Sequence, residues 1–155
     1  MEREANRPAA PIIVDADATP RDCLKIIDEL AEAFGREVIT VASIHHRIDR
    51  PNHRVVGDEP QATDLAVVNL TVAGAIVVTQ DQGLAALVLA KGAAAIAPHG
   101  EIFREDRMTM LLEERNILAR WRRSGGRTKG PAPRSKADNL RFATNLRKLL
   151  AGELS

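Results

Sequence analysis

The chain has no tyrosine, one tryptophan and three phenylalanines among its 155 residues. Its core must therefore be assembled from Ala, Val, Ile and Leu. Rings on which nucleic-acid bases could stack are also scarce. Trp121 is the one good candidate, and it reads as a core residue. Cys23 stands alone, which excludes an intrachain disulfide and fits a reducing compartment. Its expected place is the buried face of a helix, as a small hydrophobe. The most apolar window, Leu65 to Val78, is too short and too punctuated to cross a bilayer. The amino-terminal residues lack the charged start, apolar middle and small-residue cleavage site of a leader. A cytoplasmic protein with no membrane contact is expected. No Ser/His/Asp or Cys/His set is recognisable, so acyl chemistry through a covalent intermediate is unsupported. Gly74, Gly83 and Gly92 form no phosphate-cradling loop.

Charge is present and unevenly placed. Residues 1–103 carry 9 Lys/Arg against 15 Asp/Glu, and residues 104–155 carry 13 against 6. Between Arg115 and Lys148 there are 11 basic residues and a single acid, Asp138. The second region looks suited to a polyanion. The plain alternative is a solvated basic loop that offsets an acidic face.

The organising stretch is Ile12-Ile13-Val14-Asp15-Ala16-Asp17-Ala18-Thr19. Three apolar residues lead into two carboxylates, and Pro20 breaks the run before a helical pattern begins. This reads as a buried parallel strand followed by a helix. Pro20 suits the first helical position, with Thr19 as N-cap. Leu24, Ile27, Leu30, Ala31 and Phe34 mark the helix face, and Gly35 its end. Further strands are expected over Val38–Ala42, Arg54–Val56, Ala75–Val78 and Ala93–Ala97. Helices are expected over Gln61–Val72, from Gln82 to Lys91, over Thr109–Trp121, and after the cap at Ser135. Residues 1–10 read as a frayed end and 11–151 as a single domain, basic and helical from 104. Alternating strands and helices argue for an α/β fold of three layers, a doubly wound and mainly parallel sheet with C-terminal helices.

Asp15 and Asp17 fall at a strand's carboxyl end, where such sheets bind ligands. Strand alternation would place both on one side, with Ala16 on the other. Asp81 repeats the geometry of Asp15, and Asp64 lies in the first turn of a helix. The plain alternatives are that Asp17 caps the next helix, Asp15 is a solvated strand end, and Asp64 answers the helix dipole. Together, four carboxylates make an all-oxygen site suited to Mg²⁺ or Mn²⁺. Such a site best serves phosphoryl or phosphodiester transfer. Asp15, Asp17, Asp64 and Asp81 are therefore the candidate metal ligands and catalytic residues. His45 and His46 invite zinc, but no Cys or third His stands at ligand spacing, so they read as loop residues. Arg120, Arg122, Arg123, Arg127, Thr128, Lys129, Arg134 and Lys136 flank a Gly/Pro-rich loop, Ser124 to Pro133. They are the candidate contacts to an RNA or single-stranded DNA backbone.

Two family resemblances bear on these residues. Asp15-Ala-Asp-Ala-Thr19 resembles the first motif of haloacid-dehalogenase-type phosphatases, with the first Asp as nucleophile and the second as general acid. Val77-Val78-Thr79 and Lys91 resemble its next motifs, but the acidic pair on a later strand is missing. A wider match covers nearly the whole chain. Val-Asp-Ala-Asp-Ala-x-Pro (14–20), Ala-x-Asp (62–64), Val-Thr-x-Asp-x-x-Leu-Ala (78–85), Lys-Gly-Ala (91–93) and Gly-x-Thr-x-Gly-Pro (126–131) occur in order, followed by Asp138 and Phe142. This pattern resembles the YaiI/YqxD family of uncharacterised bacterial proteins, regarded as a PIN-like domain. The resemblance implies that Asp15, Asp17, Asp64 and Asp81 correspond to the acidic cluster of PIN-like nucleases. The chain departs from it at Gln61, where members often carry an acid. It also departs at Ala75, often Asp, and at Thr19, commonly Cys. A nuclease acting on RNA, an RNA- or ribosome-associated binder without catalysis, and a phosphatase are the three readings.

Overall fold

Strand β1, Ile12–Asp15, is buried along its whole length and has a parallel neighbour on each side. The computed structural model describes residues 9–46, 48–59, 61–105 and 133–153. The other strands are β2 (Val38–Ser43), β3 (His53–Val56), β4 (Ile76–Val78), β5 (Ala94–Ile96) and β6 (Ile102–Phe103). They form one sheet in the order β3-β2-β1-β4-β5-β6. All pairings are parallel except β5 with β6. Helices α1 (Arg21–Phe34), α2 (Ala62–Leu70), α3 (Gln82–Ala90) and α4 (Lys136–Leu150) complete the described elements.

Buried parallel strands are apolar on both faces, and β1 and β4 meet that demand with β-branched runs. Ile13, Val41 and Val77 face α2 and α3, against Val67, Leu84 and Val88. Ile12, Val14, Ile76 and Val78 face α1 and α4, against Cys23, Ile27, Phe142 and Leu146. This gives the three expected layers. Cys23 is fully buried, as expected of a small hydrophobe. Gly35 closes α1 at φ +67, a left-handed backbone that only glycine adopts freely. Ser135 and Asp138 form the capping box that starts α4.

Several local expectations need correction. Thr19 is not the N-cap of α1. Pro20 holds that position without a side-chain bond, and the Thr19 hydroxyl donates to the Asp15 carbonyl at 2.7 Å. Residues Ala16–Ala18 form a 3-10 turn, so strand alternation stops at Asp15 and does not carry on to Asp17. Helix α2 begins at Ala62, after Gln61 in a left-handed conformation at φ +68. Strand β6 was not expected. It is two residues long and returns antiparallel, so Arg104 and Glu105 lie beside Ala93 at the amino edge of the parallel strands.

Among the described residues no helix is long and apolar enough to cross a membrane. The expected helix Thr109–Trp121 lies outside the described residues, as do Arg120, Arg122, Arg123, Arg127, Thr128 and Lys129.

Candidate functional site at the carboxyl edge of the sheet

From β1 the chain builds β2 and β3 outward, then returns to add β4 and β5 on the opposite flank. Strand order thus reverses between β1 and β4. Asp15 ends β1 at this reversal, and Asp81 follows β4 as the N-cap of α3. The carboxyl ends of two central strands therefore deliver two acids to the place where open α/β sheets bind ligands.

Asp15 is 7% exposed. Its Oδ2 accepts the Thr79 hydroxyl at 3.1 Å, and Thr79 Oγ1 in turn accepts the Asp81 backbone N–H at 3.0 Å. Asp81 Oδ1 accepts the Leu84 N–H at 3.0 Å. These bonds lock the two strand ends together. Burial pushes the Asp15 carboxyl up to about 6, against the pull of the Thr79 hydroxyl. The negative charges of Asp64, Asp17 and Asp81 push it further in the same direction. The three other sequence-identified acids thus act on Asp15. Asp15 is not a solvated strand end.

Asp17 has a different environment. The β1–β2 register pairs Asp15 with Val41, so the next turn brings Asp17 to the end of β2. Both its oxygens lie 3.1 Å from the Ser43 N–H, and the Thr63 hydroxyl donates to Oδ2 at 3.0 Å. His46 Nδ1 stands 2.7 Å from Oδ1. Asp17 therefore ties the end of β2 to the start of α2, and it does not cap α1. Asp64, in the first turn of α2, lines with Asp17, His45, Gln61 and Thr63 a cavity of about 320 Å³.

Thr79, Ser43, Thr63 and His46 were missed as site residues in the sequence. Thr79 stood inside the Val-Thr-x-Asp motif, which was the available signal. His46 could be placed only once β2 was known to lie beside β1. The tandem histidines diverge: His45 pairs with Asp58 at 3.5 Å and His46 with Asp17. This agrees with reading them as loop residues.

Of the two described basic candidates, Lys136 is exposed at the first residue of α4. Arg134 turns inward. It donates to Asn139 Oδ1 at 2.7 Å, to the Pro98 carbonyl at 2.7 Å and to Cys23 Sγ at 2.8 Å. Its guanidinium joins α4 to α1.

The donor set fits a hard divalent cation, being carboxylate and hydroxyl oxygen around a buried acid. Among the described residues no three His, Cys, Asp or Glu side chains are grouped to hold one ion.

The family described as "Uncharacterized BCR, YaiI/YqxD family" matches residues 13–152. The chain belongs to the YaiI/YqxD family. A UPF0178 protein of Heliobacterium modesticaldum is 46% identical over 139 residues, 90% of this chain and 95% of the relative. UPF0178 proteins of Clostridium tetani and Clostridium novyi are 42% and 40% identical, covering 92% and 93% of their lengths and 87% and 90% of this chain. No solved structure matches. The YaiI/YqxD match includes all four acids, from Asp15 to Asp81. A haloacid-dehalogenase-type site would need an acidic pair from a later strand; in this YaiI/YqxD protein β6 carries Glu105 to the opposite edge from Asp15.

Proposed function

We propose that this YaiI/YqxD protein is a divalent-metal-dependent nuclease with a PIN-like scaffold, acting on RNA and secondarily on single-stranded DNA. The observation that carries this reading is a buried carboxylate, Asp15, at the strand-order reversal with three other carboxylates acting on it. Like charges so placed are costly unless a cation answers them. Mg²⁺ or Mn²⁺ in this position supplies Lewis acidity toward a water and a phosphodiester oxygen.

The chain's own part is positioning. Thr79 fixes the rotamer of Asp15, and Asp81 is fixed by capping α3. Asp15, Asp17, Asp64 and Asp81 would hold the ion. Arg120, Arg123, Arg127, Thr128, Lys129 and Lys136 hold backbone phosphates, which makes affinity fall as salt rises.

The test is cleavage of labelled RNA in Mn²⁺ by wild type, Asp15→Asn and Asp81→Asn. Loss of cleavage in both variants is expected. Equal activity in all three would expose a contaminant and remove the enzymatic reading.

A second reading, a non-catalytic RNA- or ribosome-associated binder, draws on Asp17. Its oxygens are occupied by Ser43, Thr63 and His46, and Gln61 adds no charge. RNA retained in EDTA without cleavage would establish that reading instead.

A further inference from the structure

Beside the acidic site lies a niche that the cleavage chemistry does not use. It measures about 520 Å³ and is lined by Ile44, His46, Ile48, Asp49, His53 and Val55. Three features characterise it. Ile44 and Val55, 53% and 60% exposed, come together on its wall. His53 is held by Thr40, with Nδ1 2.6 Å from the Thr40 hydroxyl, while its Nε2 is buried without a hydrogen-bond partner. Whichever tautomer is present, one donor or one acceptor is left unanswered on that ring. The third feature is continuity. His46 forms one wall of the niche and touches Asp17 with its Nδ1 at 2.7 Å.

We propose that this niche binds a nucleobase of the strand whose phosphate meets Asp15, so the inference rests on the nuclease reading above. Flat heteroaromatic ligands combine an apolar face with a polar edge. Ile44, Ile48 and Val55 offer the apolar wall, and the imidazoles of His46 and His53 offer planar surface. Bases splayed from single strands are held by such stacking and edge contacts. The niche supplies with aliphatic and imidazole groups what the chain lacks in aromatic rings. Three aliphatic walls distinguish a base from no base more strongly than one base from another. The expected preference is for unpaired nucleotides of any sequence.

The test is an NMR titration of the full chain, without divalent metal, with uridine and adenosine 5′-monophosphates and with ribose 5-phosphate. Both nucleotides should shift the Ile44, His53 and Val55 resonances, and ribose 5-phosphate should not. Shifts from all three ligands alike, or from none, overturn the niche. In Mn²⁺, Val55→Ser and His53→Ala should each raise KM for an oligoribonucleotide about tenfold, as loss of one stacked base requires. Val55 is exposed, so its variant keeps the test sound if His53→Ala fails to fold. Nucleotide shifts without any Asp15-dependent cleavage would sink the nuclease and keep the niche. Asp15-dependent cleavage with unchanged KM in both variants would do the reverse.

Discussion

The two edges of the sheet are made from the same strands and have opposite character. At the amino edge a cavity of about 720 Å³ is lined by Gly74, Ala75, Ala93, Ile102 and Leu149, with Arg36, Arg104 and Glu105 at its rim. Arg36 donates there to the carbonyls of Ala10 and Gly74. At the carboxyl edge the cavity beside Asp17 and Asp64 is less than half that size, and the side chains around it are acids, hydroxyls and imidazoles. Space and chemistry are separated. Small residues where strands begin leave room, whereas residues just past the strand ends are free of the ladder and can serve a ligand.

The sharpest test of this contrast compares one residue from each edge. Asp15→Asn should lower Mn²⁺-dependent RNA cleavage by about a hundredfold or more. Arg36→Ala, on the far edge, should leave the cleavage rate unchanged. A reversal of that ranking would move the site to the amino edge.

The next effect is on stability. The folded chain keeps a proton on Asp15 up to about pH 6, whereas the unfolded chain releases it near the ordinary value of 3.8. Between those values the folded state binds more protons, so stability falls as pH rises. In denaturant titrations without metal, Asp15→Asn should gain about 2 kcal/mol on wild type between pH 4 and pH 8. Added Mn²⁺ should narrow the gap at pH 8 by stabilising wild type alone.

Smaller still is the contribution of Thr79, whose hydroxyl donates to Asp15. Thr79→Val should weaken Mn²⁺ binding about tenfold, read directly by calorimetry. The smallest effect returns to the amino edge. Loss of the Arg36 hydrogen bonds should cost about 1 kcal/mol in a urea titration.

Much of this architecture was legible because the relevant signals are local. The Ile-Ile-Val run could only be a buried strand or helix, and Pro20 limited its length. Ser135 with Asp138 announced a helix start, and Gly35 a helix end. The acids were legible because each follows an apolar run or opens a helix. What was not legible depends on neighbours in space. Strand β6 is two residues long and exists only because β5 offers it an edge. Gln61 takes a positive φ that its own preferences disfavour, so the start of α2 was misplaced by one residue. The link between His46 and Asp17 spans 29 positions and follows from the β1–β2 register alone. Arg134 looked like a phosphate ligand by composition; its contact with Cys23, 111 positions away, needed the packing of α4 on α1.

That contact has a use. Cys23 Sγ lies under the Arg134 guanidinium and donates to the Pro98 carbonyl at 3.4 Å, and burial pushes the thiol up to about 11. A maleimide reaches this sulfur only when the packing around it opens. The molecule therefore carries a built-in chemical clock: the labelling rate counts how often that packing opens, with no added probe.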